Sequence, residues 1–254
     1  MRAFKICTAA LTALCLTVSI ARADGRVLKV GAYILPPLTS LDDSGRLRGE
    51  SVDQLAGALQ DMGYVPEYRV LPMKRCLEGM LHGELAMMLP VVKTAERSAF
   101  MLFSKPVARM ESVFWKRDSA PVRCWETPAD LVGQRIGIAL GYVYGPELQR
   151  LRREYRLDLT EEGGKNPEKT LFLMLEAGRM DLILCDRSIG EYLKAQNRPL
   201  FDDIVPCPRP VGQSISLSYP VSKEYFDKHK LDAEAFLTRL NESLAAHAAA
   251  GTVR

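Results

Sequence analysis

The sequence predicts an α/β protein built on two mostly parallel sheets, each flanked by helices. Three observations lead there. Short β-rich stretches are followed by helices whose apolar residues recur every 3.6 positions. This alternation runs through the chain twice. The 254 residues suit one large domain or two small ones. A strand, a covering helix and a further strand pair in parallel, and both sheet faces are then buried.

The first residues stand apart. Residues 1–23 carry Arg2 and Lys5, then the apolar stretch Ile6–Ile20, then the small-x-small run Ala21-Arg22-Ala23. That is the build of a secretion signal, cleaved after Ala23. The apolar stretch is 15 residues long, shorter than the roughly 20 that a spanning helix needs. Leu14 before Cys15 lacks the small side chain of a lipidation site. A mature chain from Asp24 is expected, located in the periplasm and not spanning a membrane.

Removal of this segment changes the charge. The whole chain has 34 basic and 31 acidic residues. The segment takes three bases and no acid, leaving 31 of each. A neutral chain without a basic patch gives no support to a nucleic-acid partner. Hydrophobic residues at 47% and charged residues at 26% exclude a disordered chain and a multi-span membrane protein. Four cysteines remain: Cys76, Cys124, Cys185 and Cys207. They allow three pairings, and sequence does not choose among them. Cys185 and Cys207 fall near strand ends, and with Cys124 they make a disulfide an option. No CxxC or paired Cys/His spacing occurs, so neither a metal nor a cofactor is expected.

The elements follow in order. Val27–Ala32 is a strand that runs into Pro36-Pro37. Val52, Leu55, Ala56, Leu59 and Met62 mark a helix face, with Ser51 and Gln54 at capping-box spacing and Gly63 as its stop. Tyr64–Leu71 is a strand, Met73–Leu81 a helix and Leu85–Leu89 an apolar strand ended by Pro90. The second set opens with strand Arg135–Leu140. Gly141-Tyr142-Val143-Tyr144-Gly145-Pro146 then leads a helix, with Pro146 in its first turn. Asn166-Pro167 caps a helix ended at Gly178, and Asp181–Cys185 is a buried strand. Ser188–Ala195 is a helix and Ile204–Val205 a strand. Leu231, Asp232 and Phe236 have the spacing of a hydrophobic staple at the head of the terminal helix. Met73, Met80, Met87, Met88, Trp115 and Trp125 read as core, and Asp53 as support for the first helix start. Ligands of such folds sit beyond the carboxyl ends of the strands.

At those ends the chain resembles the family 3 extracellular solute-binding proteins, the periplasmic receptors of amino-acid ABC transporters, of the histidine- and glutamine-binding type. The matching stretches are VGAYILPPLTSLDDSGRLRGESVDQL at 30–55, KRCLEGMLHGELAMML at 74–89, KTAERSAFMLFSKPV at 93–107, DLVGQRIGIALGYVYG at 130–145 and LEAGRMDLILCDRSIGEYL at 175–193. The resemblance implies a two-lobed type II fold with ligand in the cleft and two hinge strands. Lobe 1 would hold 24–108 and 212–254, and lobe 2 with its hinges 109–211. The hinges would lie near Val107–Ser112 and Cys207–Gly212. Such a receptor is a monomer that binds a small-molecule ligand and delivers it to an ABC permease. It is not an enzyme, and no Ser-His-Asp or Cys-His arrangement appears. A dehydratase-like enzyme on the same scaffold and a ligand-sensing accessory protein are the alternatives.

The resemblance also implies the site. Arg97, in the T-x-x-R of Thr94–Arg97, would clamp the ligand carboxylate through parallel hydrogen bonds. The alternative is a surface arginine paired with Glu96 or Glu111. Asp186 would receive the ligand ammonium, the alternative being a helix cap. The amides of Gly141, Tyr142 and Val143 would meet the carboxylate at a helix start. Tyr33 in the first loop, like Tyr142 and Tyr144, could stack on the ligand or simply pack between the lobes. Pro90 and Val92 stand where the family often has hydroxyl residues, and neither side chain supplies a donor. The carboxylate site is therefore expected to be thin, with a different anion or a larger apolar ligand as options.

Overall fold

A computed structural model describes residues 26–251. The expected secretion signal lies outside the described residues. Two five-stranded sheets organise the chain. In the first, the order is Tyr64–Val70, Arg26–Ala32, Met87–Met88, Pro220–Ser222, Met101–Phe103. In the second it is Asp158–Glu162, Arg135–Ala139, Leu182–Asp186, Ser112–Arg117, Ile204–Pro210. The first three strands of each sheet pair in parallel. The fourth is antiparallel to both neighbours. Four strands of each sheet therefore run one way and one runs the other. The reversed strand is the first to join its sheet after the chain passes from one lobe to the other, so it enters from the opposite end.

Helices cover these sheets as their apolar spacing requires. Glu50–Asp61 buries Val52, Leu55, Ala58 and Leu59. Met73–Leu81 buries Met73, Cys76 and Met80. The terminal helix Ala233–Gly251 is capped by Asp232, whose Oδ1 accepts from the Glu234 and Ala235 amides at 3.0 and 2.9 Å. Buried Phe236 packs edge-to-face on Phe226 behind it. Asn166 caps Pro167–Glu176 through the Lys169 amide. The expected capping box at Ser51 and Gln54 does not form. Gly49 is the cap, without a side-chain bond, and Gln54 Oε1 accepts from the Tyr219 hydroxyl at 3.0 Å instead. The apolar run Leu85–Leu89 is buried throughout, but only Met87–Met88 pairs as strand. Met80, Met87, Met88, Trp115 and Trp125 are core, as expected. The Trp115 ring lies so close to Gly190 that a side chain there has no room.

Strand parity settles the cysteines. In Leu182–Asp186, side chains alternate between faces. Ile183 and Cys185 join the core shared with Trp115, Phe172 and Ile189. Leu182 and Leu184 face the other way, into the cluster of Phe114, Trp125 and Cys207. Cys185 is thus on the wrong side of the sheet to reach Cys207. The disulfide is Cys124–Cys207, with Cα atoms 5.4 Å apart, and Cys76 and Cys185 are buried free thiols. Arg209 reinforces the junction: its guanidinium lies 4.3 Å from the Trp125 ring centre and its carbonyl accepts from the indole nitrogen at 3.3 Å.

A three-stranded sheet joins the lobes: Val91–Val92, Ile215–Ser218 and Ala108–Met110. Ala108–Met110 leads into the second lobe and Ile215–Ser218 returns, and the two pair antiparallel. The expected return hinge at Cys207–Gly212 covers the end of strand Ile204–Pro210, where the pairing with Ser112–Arg117 shifts register between Pro206 and Pro210. The paired connector begins only at Ile215.

Candidate ligand-binding site between the lobes

The Thr94-x-x-Arg97 spacing has a local cause. Thr94 is the N-cap of the short helix Ala95–Phe100. Its hydroxyl accepts from the Arg97 amide at 3.1 Å, the usual N-cap to N3 bond. This capping turns the Arg97 side chain inward. Arg97 is 6% exposed. Nη1 donates to the Val92 carbonyl at 2.9 Å, and Nη2 donates across the cleft to the Gly141 carbonyl at 2.7 Å. No carboxylate among the described residues lies within ion-pair distance, so neither Glu96 nor Glu111 is its partner. Glu111 pairs with Arg187 instead, at 3.0 Å. Loss of water lowers the Arg97 pKa from its ordinary value, although guanidinium stays charged. Two of its five N–H groups are used by the protein; the rest remain as donors.

Tyr33, Pro90 and Val92 support this arginine. Tyr33, just after the first strand, is buried and donates to the Pro90 carbonyl at 2.5 Å. Pro90 and Val92 provide no side-chain donors, but their carbonyls hold Tyr33 and Arg97. Positions that could have bound an anion serve as acceptors for the groups around it.

From the second lobe comes Tyr142. Gly141 takes φ +83°, a left-handed turn that glycine accepts without cost. The following tyrosine then reaches across to the first lobe. Its hydroxyl donates to the Ile34 carbonyl at 3.3 Å. Its ring meets Tyr33 edge-on, with centres 6.0 Å apart, and stacks on Tyr144 at 6.4 Å. Burial pushes the Tyr33, Tyr142 and Tyr144 hydroxyl pKa values well up, so all three are neutral; Tyr33 and Tyr142 donate, and Tyr144 accepts from the Ala139 amide at 2.8 Å. The reading of Gly141, Tyr142 and Val143 as helix-start amides is corrected. The helix is Pro146–Tyr155 and its N-cap is Gly145, because proline without an N–H fits only a first turn. The Tyr142 amide is already bonded to the Ala139 carbonyl at 3.3 Å.

Asp186 is the helix cap rather than an open carboxylate. Oδ1 accepts from the amides of Ser188 and Ile189, at 2.9 and 3.2 Å, and from the Ser188 hydroxyl. Oδ2 accepts from the Glu111 amide at 2.6 Å, which ties the cap to the connector between the lobes.

One carboxylate that sequence reasoning passed over lies nearby. Glu168 is in the first turn of Pro167–Glu176 and is 3% exposed. Neither carboxylate oxygen has a well-aligned hydrogen-bond partner. The Tyr142 hydroxyl, which donates to the Ile34 carbonyl at 3.3 Å, also faces Glu168, and its hydrogen bonding works against the effect of burial. Burial pushes the Glu168 pKa up to about 7. An acid at a helix start is ordinary in sequence, so only the fold distinguishes this one.

The lobes are in contact. Cavities of about 30 and 20 Å³ separate Tyr33, Met73, Arg97 and Tyr142, room for little more than a water. Beside them a wider cavity of about 610 Å³ opens to solvent, between Lys74, Leu77, Thr94, Arg97 and Phe100 on one lobe and Gly141, Val143 and Glu161 on the other. That volume suits a small molecule. A ligand seated directly on Arg97 would displace its bond to Gly141, so entry requires the lobes to part about their connectors, a hinge motion. Among the described residues no helix is long and apolar enough to cross a membrane, and no group of three or more His, Cys, Asp or Glu side chains converges on a metal position.

Two lobes, paired connectors and an arginine in the cleft define the type II periplasmic-binding-protein fold. The sequence profile of the bacterial extracellular solute-binding proteins, family 3, matches residues 28–254, and the chain belongs to that family. No curated protein matches it in sequence. Solved structures share the fold at low identity. The arginine-bound form of truncated ArgBP from T. maritima is 21% identical, with TM-score 0.71 over 87% of this chain and 95% of that one. A histidine kinase sensor domain with similarity to periplasmic binding proteins is 21% identical, with TM-score 0.74 over 91% and 94%. A putative L-cystine ABC transporter protein from Listeria monocytogenes is 16% identical, with TM-score 0.71 over 87% and 89%.

Proposed function

We propose that this protein is a periplasmic receptor that closes two lobes around an amino acid or related carboxylate and delivers it to an ABC permease. One observation carries the reading. Arg97 is a buried guanidinium without an ion-pair partner, at the wall of the inter-lobe cavity, with donors to spare. A desolvated charge of this kind is costly alone and binds a carboxylate strongly. The ligand replaces the Gly141 carbonyl on Arg97, and Tyr33 and Tyr142 provide neutral surfaces beside it. Closure is favoured only by contacts that exist in the closed form.

Thermal-shift screening against amino acids, polyamines and organic acids tests this. At 100 times its Kd a ligand adds about 2.7 kcal/mol of stability. At least one amino acid is expected to raise the midpoint by several degrees, and a screen in which only amines without a carboxylate act contradicts the reading. A sensory role has a specific observation in its favour, the likeness to a kinase sensor domain. In that role the closed form would dock on a membrane partner other than a permease, with the same Arg97 chemistry. An enzymatic role predicts that the ligand returns altered after incubation; the receptor returns it unchanged.

A further inference from the structure

We propose that the ligand is a carboxylate with a large apolar body, of the aromatic amino-acid or arylalkanoate kind. Its acid meets Arg97 and its body fills the cavity of about 610 Å³ beside it. This rests on the carboxylate reading above and names the ligand class. The space around Arg97 is divided unequally. Toward Tyr33, Met73 and Tyr142 the two small cavities hold about 30 and 20 Å³, room for a water and for no side chain. Toward the helix Met73–Leu81 the large cavity has Arg97 in its wall. A ligand body attached to an acid on Arg97 therefore lies on that side.

The wall of that cavity sorts by chemistry. Leu77 and Phe100 of the first lobe and Leu140 and Val143 of the second line it, and all four are half-buried. Leu77 and Phe100 pack on the buried core behind them. The charged residues of the wall other than Arg97, namely Lys74, Glu78, Glu96 and Glu161, are exposed, so their charges stand at the mouth. The inner hydroxyls are already engaged: Thr94 caps its own helix and Tyr142 donates to Ile34. A polar side chain in this inner part is taken from water and given no hydrogen bond, which costs affinity. An apolar body carries no such cost. Each lobe alone leaves its apolar strip half-wet. Closure removes both strips and the ligand body from water together, so the hydrophobic effect favours the closed form.

Charge sets the direction of the ligand. Arg97 is the buried charge in this wall, and among the described residues it has no acid in ion-pair contact, so it takes the carboxylate. With no side-chain donors at Pro90 and Val92 to add to the guanidinium, burial of the body supplies the remaining affinity.

Calorimetry with 3-phenylpropionate, L-phenylalanine, L-glutamine and L-arginine tests the class. At least one aromatic probe is expected to bind roughly tenfold or more tighter than both polar amino acids. The first two probes share a ring and an acid and differ in the ammonium, so their ratio shows whether that group is read, and any ratio supports the class. A polar amino acid that binds within that margin of the aromatic probes, or tighter, overturns the assignment and leaves the receptor reading intact. If none of the four binds, the assignment also falls, and the wider amino-acid screen decides the receptor reading. Leu77→Gln and Val143→Asn, on opposite walls, place the body. Each is expected to weaken the tighter aromatic probe about fivefold or more. A loss in either variant supports the placement, so a variant that does not fold leaves the other to decide. Unchanged aromatic affinity in the folded variants overturns it.

Discussion

Arg97→Ala abolishes measurable binding of the best amino-acid ligand while the protein without ligand keeps its midpoint within a few degrees. The two halves of this result have one cause. Removing one partner of a buried, hydrogen-bonded charge pair costs roughly 2–5 kcal/mol, or about thirty- to several-thousand-fold in Kd. Without ligand, the same side chain contributes two bonds to carbonyls, at Val92 and Gly141, each worth about 1 kcal/mol net. Against them stands the cost of a guanidinium held out of water with no acid in ion-pair contact, so the apo balance changes little. Arg97→Lys keeps the charge and loses the planar fork, so its affinity is expected to fall between wild type and alanine. Calorimetry decides: unchanged affinity in the alanine variant removes Arg97 from the site.

Breaking Cys124–Cys207 has the largest effect on stability. The bond closes a segment of 83 residues, and the chain-entropy model gives about 4.5 kcal/mol for a loop of that length. In a protein of this size, that corresponds to a midpoint lower by about 10 °C or more. The bond also fixes the stretch before Trp125 to the strand that leads back toward the first lobe, so part of the loss is local. Cys207→Ser, or reduction of the wild type, is expected to show the fall in a melting curve. A midpoint that reduction does not move would show the bond to be absent or without effect.

The elements legible in the sequence are those with strong local causes. Met73–Leu81 was readable from its apolar spacing and Gly83, and the structure has the same bounds. Asn166-Pro167 and Leu231-Asp232 announced helix starts because their caps act within three residues. Short strands such as Met101–Phe103 and Pro220–Ser222 had no such signal, since their pairing partners lie far along the chain. The disulfide was illegible for a related reason: the choice between Cys185 and Cys207 depends on which face of a sheet each meets, and parity needs the register.

At the site the contrast is sharper. Arg97 stands out through the resemblance, whose T-x-x-R it matches, and the Thr94 cap explains that spacing. Asp186 stood out equally, but its position after a strand suits a helix cap as well as a ligand, and its bonds go to the cap. Glu168 gave no signal, because an acid in a first helical turn is ordinary and burial is a property of the fold. Tyr142 was visible as an aromatic beside a glycine, but its reach to Ile34 depends on the approach of the two lobes. The helix begins at Pro146, the first-turn position its sequence indicates, so Gly141–Val143 is loop and presents a carbonyl to Arg97, where the resemblance implies helix-start amides.

The central claim is that ligand binds between the lobes on Arg97. The direct measurement is a crystal structure of the complex with the amino acid that most raises the melting midpoint. The expected result is a ligand carboxylate on the Arg97 guanidinium, with the Arg97–Gly141 bond gone and both lobes in contact with the ligand. A ligand bound elsewhere, with Arg97 still donating to Val92 and Gly141, would contradict the account.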